Sequence, residues 1–248
     1  MLKVTSDCIN WIKEQFKDNT NGKAIIGISG GKDSTVAAAL CVEALGADRV
    51  IGVLMPQGTQ KDINDSYEVV ATLKLQYHVV NIGATCEALY HSISDAVFLS
   101  GGKNAVENNS MITTNAPARI RMTVLYAIGA LYPNSRVVNT CNYSEDFVGY
   151  STKYGDAAGD FSPLGNLTVH EVLEIGDDLG LPSKLVHKVP SDGMCGKTDE
   201  DNLGFTYEEL DGFLLGESGL APETMSKVAM LHNTTRHKYT PMPTFKKE

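Results

Sequence analysis

The chain has 248 residues, of which 42% are apolar and 21% charged, which places it among ordinary globular proteins with room for one domain and a sizeable core. Twenty-one Lys and Arg against thirty Asp and Glu leave a formal charge of −9, which excludes a general phosphate-backbone binder because no basic stripe offsets it. No run approaches the roughly 18 apolar residues of a membrane span, and Met1 to Asn10 lack a leader pattern, so the expectation is a cytoplasmic protein with no membrane and no nucleic-acid partner.

Val4, Cys8, Trp11, Ile12 and Phe16 fall at helical spacing and predict an N-terminal amphipathic helix closed by Asn19 to Gly22. Lys23 to Ser29 predicts a buried strand running into Gly30-Gly31. The helix after it carries Val36, Ala37, Leu40, Cys41 and Leu45 and stops at Gly46. The alternation continues with a strand over Arg49 to Met55, a helix over Asp62 to Leu75, a strand over Tyr77 to Asn81 and a helix over Ala84 to Leu99. Gly101-Gly102 reads as a break, Pro117 as the start of a further helix, and Val137 to Thr140 as a fourth strand. The expected fold is α/β, a doubly wound, mostly parallel sheet with helices on both faces, in a single domain over 1–248.

From Cys141 to Asn166 the periodicity is lost, and such a loop in a compact domain is usually functional. Thr168-x-x-Glu171 and Thr206-x-x-Glu209 are capping boxes that start two later helices, with an irregular stretch from Pro190 to Gly204 between them. Cys8, Cys41, Cys86, Cys141 and Cys195 are odd in number and scattered without a Cys-x-x-Cys pair, so reduced thiols are expected; Cys8 and Cys41 fall on apolar helix faces.

The chemistry is expected in Gly27-Ile28-Ser29-Gly30-Gly31-Lys32-Asp33-Ser34, where small residues at a strand end let backbone N–H groups and a helix N-terminus face an anion. The Walker pattern and the dinucleotide fingerprint both fail here. A bare Gly-Gly is most simply a turn; the whole Ser-Gly-Gly-x-Asp-Ser string is more specific. Asp33 beside a polyphosphate can hold Mg²⁺, or can serve only as a favourable charge at a helix N-terminus.

That string resembles the pyrophosphate loop of the adenine-nucleotide α-hydrolases (PP-loop ATP pyrophosphatases), which implies a Rossmann-like fold and cleavage of ATP to AMP and pyrophosphate. Within that superfamily, Asn142-x-x-Glu145, Gly149-x-x-Thr152-Lys153-x-Gly155-Asp156, Asp160 and Pro163-Leu164 resemble the ammonia-dependent NAD synthetases. Ala118 to Met122, Pro190-Ser191, Thr198 to Gly204 and His237-Lys238 match in the same order, so the resemblance spans nearly the whole chain.

It implies amidation of deamido-NAD by ammonia through an adenylate, with ATP as co-substrate and Mg²⁺ on Asp33 and Glu145. It further implies ATP contacts from Gly27 through Ser34, Thr140 and Ser191, and a deamido-NAD site of Arg119 or Arg121, Lys153, Asp160, His237 and Lys238. Asp33, Glu145, Lys153 and Asp160 are the implied catalytic set, with Asp160 towards the ammonium and Lys153 towards phosphate or carboxylate charge. Arg119 and Arg121 lie on nearly opposite sides of one helix, so one of them can be merely solvated. The C-terminal basic residues, likewise, can be a solvated end.

The family also implies a homodimer. The position of the loop so near the N-terminus leaves no room for the glutaminase domain of glutamine-using relatives, so free ammonia or a separate glutaminase is the expected nitrogen source. The chain departs from the family pattern at Asn139, Cys141, Val169, the Met194-Cys195-Gly196 stretch and Tyr239. Two other readings are a nucleic-acid-modifying member of the superfamily and a non-catalytic ATP sensor. Acidity and the lack of Cys-x-x-Cys oppose the first, and Asp33, Glu145 and Lys153 together oppose the second.

Overall fold

The computed structural model describes residues 1–60, 62–99, 106, 109–188, 198–217 and 219–247. In chain order the elements are α1 (Lys3–Gln15), β1 (Ala24–Gly27), α2 (Lys32–Leu45), β2 (Val50–Leu54), α3 (Ile63–Thr72), β3 (Gln76–Val79) and α4 (Gly83–Leu99). They continue as α5 (Ser110–Gly129), β4 (Arg136–Val137), α6 (Tyr143–Val148), α7 (Val169–Asp178), α8 (Ser183–Val186), α9 (Asp199–Leu203), α10 (Tyr207–Leu215) and α11 (Pro222–Thr235).

Among the described residues the four strands form one parallel sheet in the order β3-β2-β1-β4. β1 and β2 are in register from Ala24–Val50 to Gly27–Val53. Along β1 and β2 alternation buries both faces, while the edge strand β3 is mostly exposed. Ala24, Ile26, Val50 and Leu54 join a core with Ile12 of α1, Leu40 of α2, Val69 of α3 and Ile175 of α7. Ile25, Ile51, Val53 and Val137 point the other way, against Cys86 of α4 and Met122 and Leu125 of α5. Helices on both faces are what strands without a polar side require, so the doubly wound α/β expectation is met.

The chain walks outward from β1 to β3 and then returns to the other side of β1 to add β4. The crevice beyond the carboxyl ends of β1 and β4 is therefore the switch point, where open α/β sheets bind ligands. A third apolar cluster, built from Val148, Val169, Leu203, Tyr207, Leu210 and Val228, carries α6, α7, α9, α10 and α11 to that end of the sheet.

Several boundaries differ from the sequence expectations. α5 begins at Ser110, where the Asn109 side chain accepts a hydrogen bond from Met111 N at 3.0 Å, and Pro117 lies inside the helix. The missing Pro117 N–H costs one rung of the helix, which α5 absorbs over its 20 residues. The Gly101-Gly102 break lies outside the described residues. β4 is only two residues long because the chain leaves the β1 ladder early: Val138 bridges Phe161, and Asn139 N donates to Phe161 O at 2.8 Å. The long irregular stretch contains α6, started by a third capping box, Asn142 with Glu145. Thr198 with Asp201 is a fourth, at the start of α9.

Candidate active site

The loop after β1 is stitched by its own serines. Ser29 N donates to Ser34 Oγ at 3.2 Å, the two hydroxyls lie 3.0 Å apart, and Gly31 N donates to Ser29 Oγ at 3.2 Å. Gly30 has φ of +81°, and a Cβ there would stand 2.8 Å from the Ser66 backbone nitrogen. Only glycine lets the loop pass so close to α3 with that left-handed turn. The outcome is a tight bend at the N-terminus of α2, whose first N–H groups face outward without intrahelical acceptors.

The loop after β4 brings the second half of the site. Asn142 is wholly buried and caps α6, accepting from Glu145 N at 3.0 Å; its Nδ2 donates to Asp33 Oδ1 at 2.9 Å. Asn142 N in turn donates to Glu145 Oε2 at 3.4 Å, so one residue holds both carboxylates, although Asp33 and Glu145 are 112 positions apart in sequence (145 − 33). Between them lies Lys32, 5% exposed, with Nζ 2.8 Å from Asp33 Oδ2 and 3.9 Å from Glu145 Oε1.

Electrostatics follow from this crowding. Burial, and then the Asp33 charge, push the Glu145 carboxyl well above its usual range, against the opposing pull of Lys32. Burial disfavours a charged Lys32, but Asp33 and Glu145 outweigh it and hold its pKa above the ordinary lysine value. The excess negative charge and the oxygen donors fit a divalent cation: Mg²⁺ takes one or two protein carboxylates and draws its other ligands from phosphates and water. Among the described residues no group of three or more His, Cys, Asp or Glu is placed to hold a metal unaided.

Behind this pair, Ser144 donates to the buried carboxylate of Asp211, and Asp211 Oδ2 accepts from His170 N at 2.9 Å. Val169 N donates to Ser144 Oγ at 3.2 Å. The N-termini of α6 and α7 are thereby held to α10, and Glu145 stands on a rigid support. Val169 itself is buried in the third apolar cluster, so its place in this chain is a packing one.

The remaining expected site residues are spread around the crevice. Thr140 is half-buried just beyond β4. Arg121 Nε donates to Met55 O at 3.2 Å at the end of β2, while exposed Arg119 donates to Lys153 O at 3.2 Å. Both are tied to backbone, on different sides of α5. Lys153 Nζ donates to His237 O at 2.6 Å, and Lys238 Nζ donates to Gly149 O and Ser151 O at 2.6 and 2.9 Å. His237 and Lys238 are therefore braced against the loop that follows α6, while residues 241–247, Lys246 and Lys247 among them, are exposed. Asp160 is used by the sheet: Oδ2 accepts from Val137 N at 2.7 Å and Oδ1 from Tyr126 OH at 3.1 Å. Among the described residues no hydrogen bond or ion pair joins Asp160 to Asp33 or Glu145. Ser191 lies outside the described residues, as do Met194, Cys195 and Gly196.

Three departures from the family pattern have local explanations. Asn139 is buried and fully bonded, donating to Asp156 O and Ala158 O and accepting from Cys141 N and Ser162 Oγ. Cys141 is buried, and burial pushes its thiol well above the usual range. Tyr239 lies with its hydroxyl 2.8 Å from His232 Nδ1, and the His232 ring stacks on Phe147 at 4.0 Å. Cys41 is also a core thiol, pushed up to about 12 by burial.

Asn142 and Tyr207 are the contributors that sequence reasoning left out of the site. The Asn-x-x-Glu capping pattern was a visible signal for the first; for Tyr207, brought against Lys32 by α10, there was none. Asn142→Ala removes a cap and strips Asp33 of a donor, so it is expected to cost about 1–3 kcal/mol, read as a lower urea midpoint, and to lower activity further than that loss of folded protein explains.

The family model described as NAD synthase matches residues 4–243. An NH(3)-dependent NAD(+) synthetase from Methanocaldococcus jannaschii is 38% identical, over 92% of this chain and 86% of that protein. Of solved structures, an NMN synthetase from Francisella tularensis superposes with a TM-score of 0.87 at 32% identity, covering 99% of this chain and 98% of that one. An NH3-dependent NAD synthetase from Campylobacter jejuni gives 0.76 at 28% identity with the same coverage. Since the match runs from the first helix to the C-terminal segment and takes in both carboxylate-bearing loops, this chain belongs to the NAD synthase family.

Proposed function

We propose that the chain amidates deamido-NAD with ammonia at the expense of ATP, giving NAD, AMP and pyrophosphate. The observation that carries the reading is the convergence of Asp33 and Glu145, from the loops after β1 and β4, at the N-terminus of α2. The nicotinate carboxylate is a poor electrophile, so one of its oxygens attacks the α phosphorus and pyrophosphate departs. Ammonia then attacks the acyl carbon, AMP leaves with the bridging oxygen, and a proton is released.

The protein's work is positioning and charge stabilisation. The α2 N-terminus and the 27–34 loop cradle the polyphosphate, with Thr140 and Ser191 completing the ATP site. Asp33 and Glu145 would hold Mg²⁺, which when bound offsets the charge of the leaving pyrophosphate. Lys153, His237, Lys238 and one of Arg119 and Arg121 receive the dinucleotide; the bracing of the C-terminal segment against 149–153 supports this grouping. Asp160 is our candidate for the ammonium, although its bonds to Val137 N and Tyr126 occupy both oxygens.

The chain acts as one domain, in the cytoplasm and as a homodimer on this reading. Among the described residues no helix is long and apolar enough to cross a membrane, and exposed Leu89 and Met111, which line one depression with Ile93 and Ile112 between α4 and α5, support a self-association face.

One second reading has a specific observation behind it. The superposition on an NMN synthetase favours the same chemistry on nicotinate mononucleotide. Purified protein with ATP, Mg²⁺ and ammonium, given either acid in parallel tubes, separates the two: the larger kcat/KM is expected for deamido-NAD. Amide product from the mononucleotide alone would establish the second reading, and none from either acid would refute both. A further tube with glutamine in place of ammonium is expected to give no product.

A further inference from the structure

Lys32 is the cation against the two carboxylates that would hold a metal. Its side chain is buried, with the ammonium 2.8 Å from Asp33, 3.9 Å from Glu145 and 5.3 Å from the centre of the Tyr207 ring. The Tyr207 hydroxyl is itself buried and has no hydrogen-bond partner among the described residues, and the Asp199 carboxylate also favours the charged ammonium, though less than Asp33 and Glu145 do. A divalent ion bound to carboxylate oxygens at about 2.1 Å cannot share them with an ammonium already in contact, because the two cations would lie within a few ångströms of each other. The flexible lysine stem can carry the charge elsewhere, provided a new anionic partner is at hand.

We propose that Lys32 is the resting counter-ion of Asp33 and Glu145, and that a divalent metal occupies the pair only when the ammonium has moved onto the polyphosphate of an incoming nucleotide. Metal and nucleotide binding are then coupled, each raising the other's affinity. The proposal deepens the function given above and rests on it only for the metal role of Asp33 and Glu145.

Mn²⁺ binding followed by electron paramagnetic resonance tests the proposal without turnover. Nucleotide-free Lys32→Met is expected to bind Mn²⁺ about tenfold or more tightly than wild type, and the gain should vanish in the Lys32→Met/Asp33→Asn double variant. Equal affinity in wild type and Lys32→Met, whether tight or undetectable, would overturn the proposal. If Lys32→Met does not fold, Lys32→Gln takes its place. Wild type offers its own arm: micromolar Mn²⁺ binding without nucleotide that Asp33→Asn abolishes also overturns it. Product formation by wild type in the ammonium assay is read separately, so failure here does not touch the assigned reaction.

Discussion

Glu145→Gln is expected to lower the rate of NAD formation at saturating magnesium by about two to three orders of magnitude, while making the ligand-free protein more stable at neutral pH. On the proposed function the rate falls because one of the two carboxylates assigned to the polyphosphate side loses its charge. Stability rises because that charge is costly in the empty site: burial and Asp33 push the Glu145 carboxyl well above its usual range. A carboxyl whose folded pKa is raised binds more protons folded than unfolded. Its contribution to stability therefore declines as pH rises from the ordinary glutamate range through the raised value. Gln has no such decline, so the melting-temperature advantage of the variant should widen from pH 5 to pH 8. An unchanged rate, or a gap that does not vary with pH, would remove Glu145 from the site.

Gly30→Ala is the second change with a large expected effect, about 2–4 kcal/mol of stability together with most of the ATP affinity. Two causes act together. The residue holds φ of +81°, and the added methyl would sit 2.8 Å from Asp65 Cβ and from the Ser66 backbone nitrogen, neither of which can swing aside. Gly58→Ala isolates the first cause, since Gly58 has φ of +67° but nothing within 4 Å of where its methyl would lie. It should lose only about 1–2 kcal/mol and retain ATP binding. Urea midpoints and calorimetric ATP titration of both variants decide the matter; equal losses would mean that the loop does not depend on its contact with α3.

The alternation of apolar runs with glycine-punctuated helical patterns was enough to show the sheet and its two helical layers, because Ile25, Ile26, Val50 and Ile51 leave no strand face for water. The glycine loop and the Asn142-x-x-Glu145 string likewise marked Asp33 and Glu145. What stayed hidden depended on contacts between distant segments. Asn142 joins the two carboxylates only because β4 lies beside β1, a pairing that strand periodicity cannot specify. The short helices α6 and α9 have too few turns to show a period, although each carries the same capping box that disclosed α7 and α10. Pro117 suggests a helix start on general grounds, yet Asn109 caps α5 earlier. Asp160 takes a role from the resemblance alone, while the structure shows its carboxylate bonded to Val137 N of β4.

The measurement that bears most directly on the chemistry is the fate of labelled carboxylate oxygen. Deamido-NAD carrying ¹⁸O in its nicotinate carboxylate is incubated with the protein, ATP, Mg²⁺ and ammonium, and the products are resolved by mass spectrometry. Attack on the α phosphorus, as proposed for the 27–34 loop, places one labelled oxygen in AMP and none in pyrophosphate. Label in inorganic phosphate accompanied by ADP, or amide formed with unlabelled AMP, would contradict the adenylate and with it the role assigned to the site between β1 and β4.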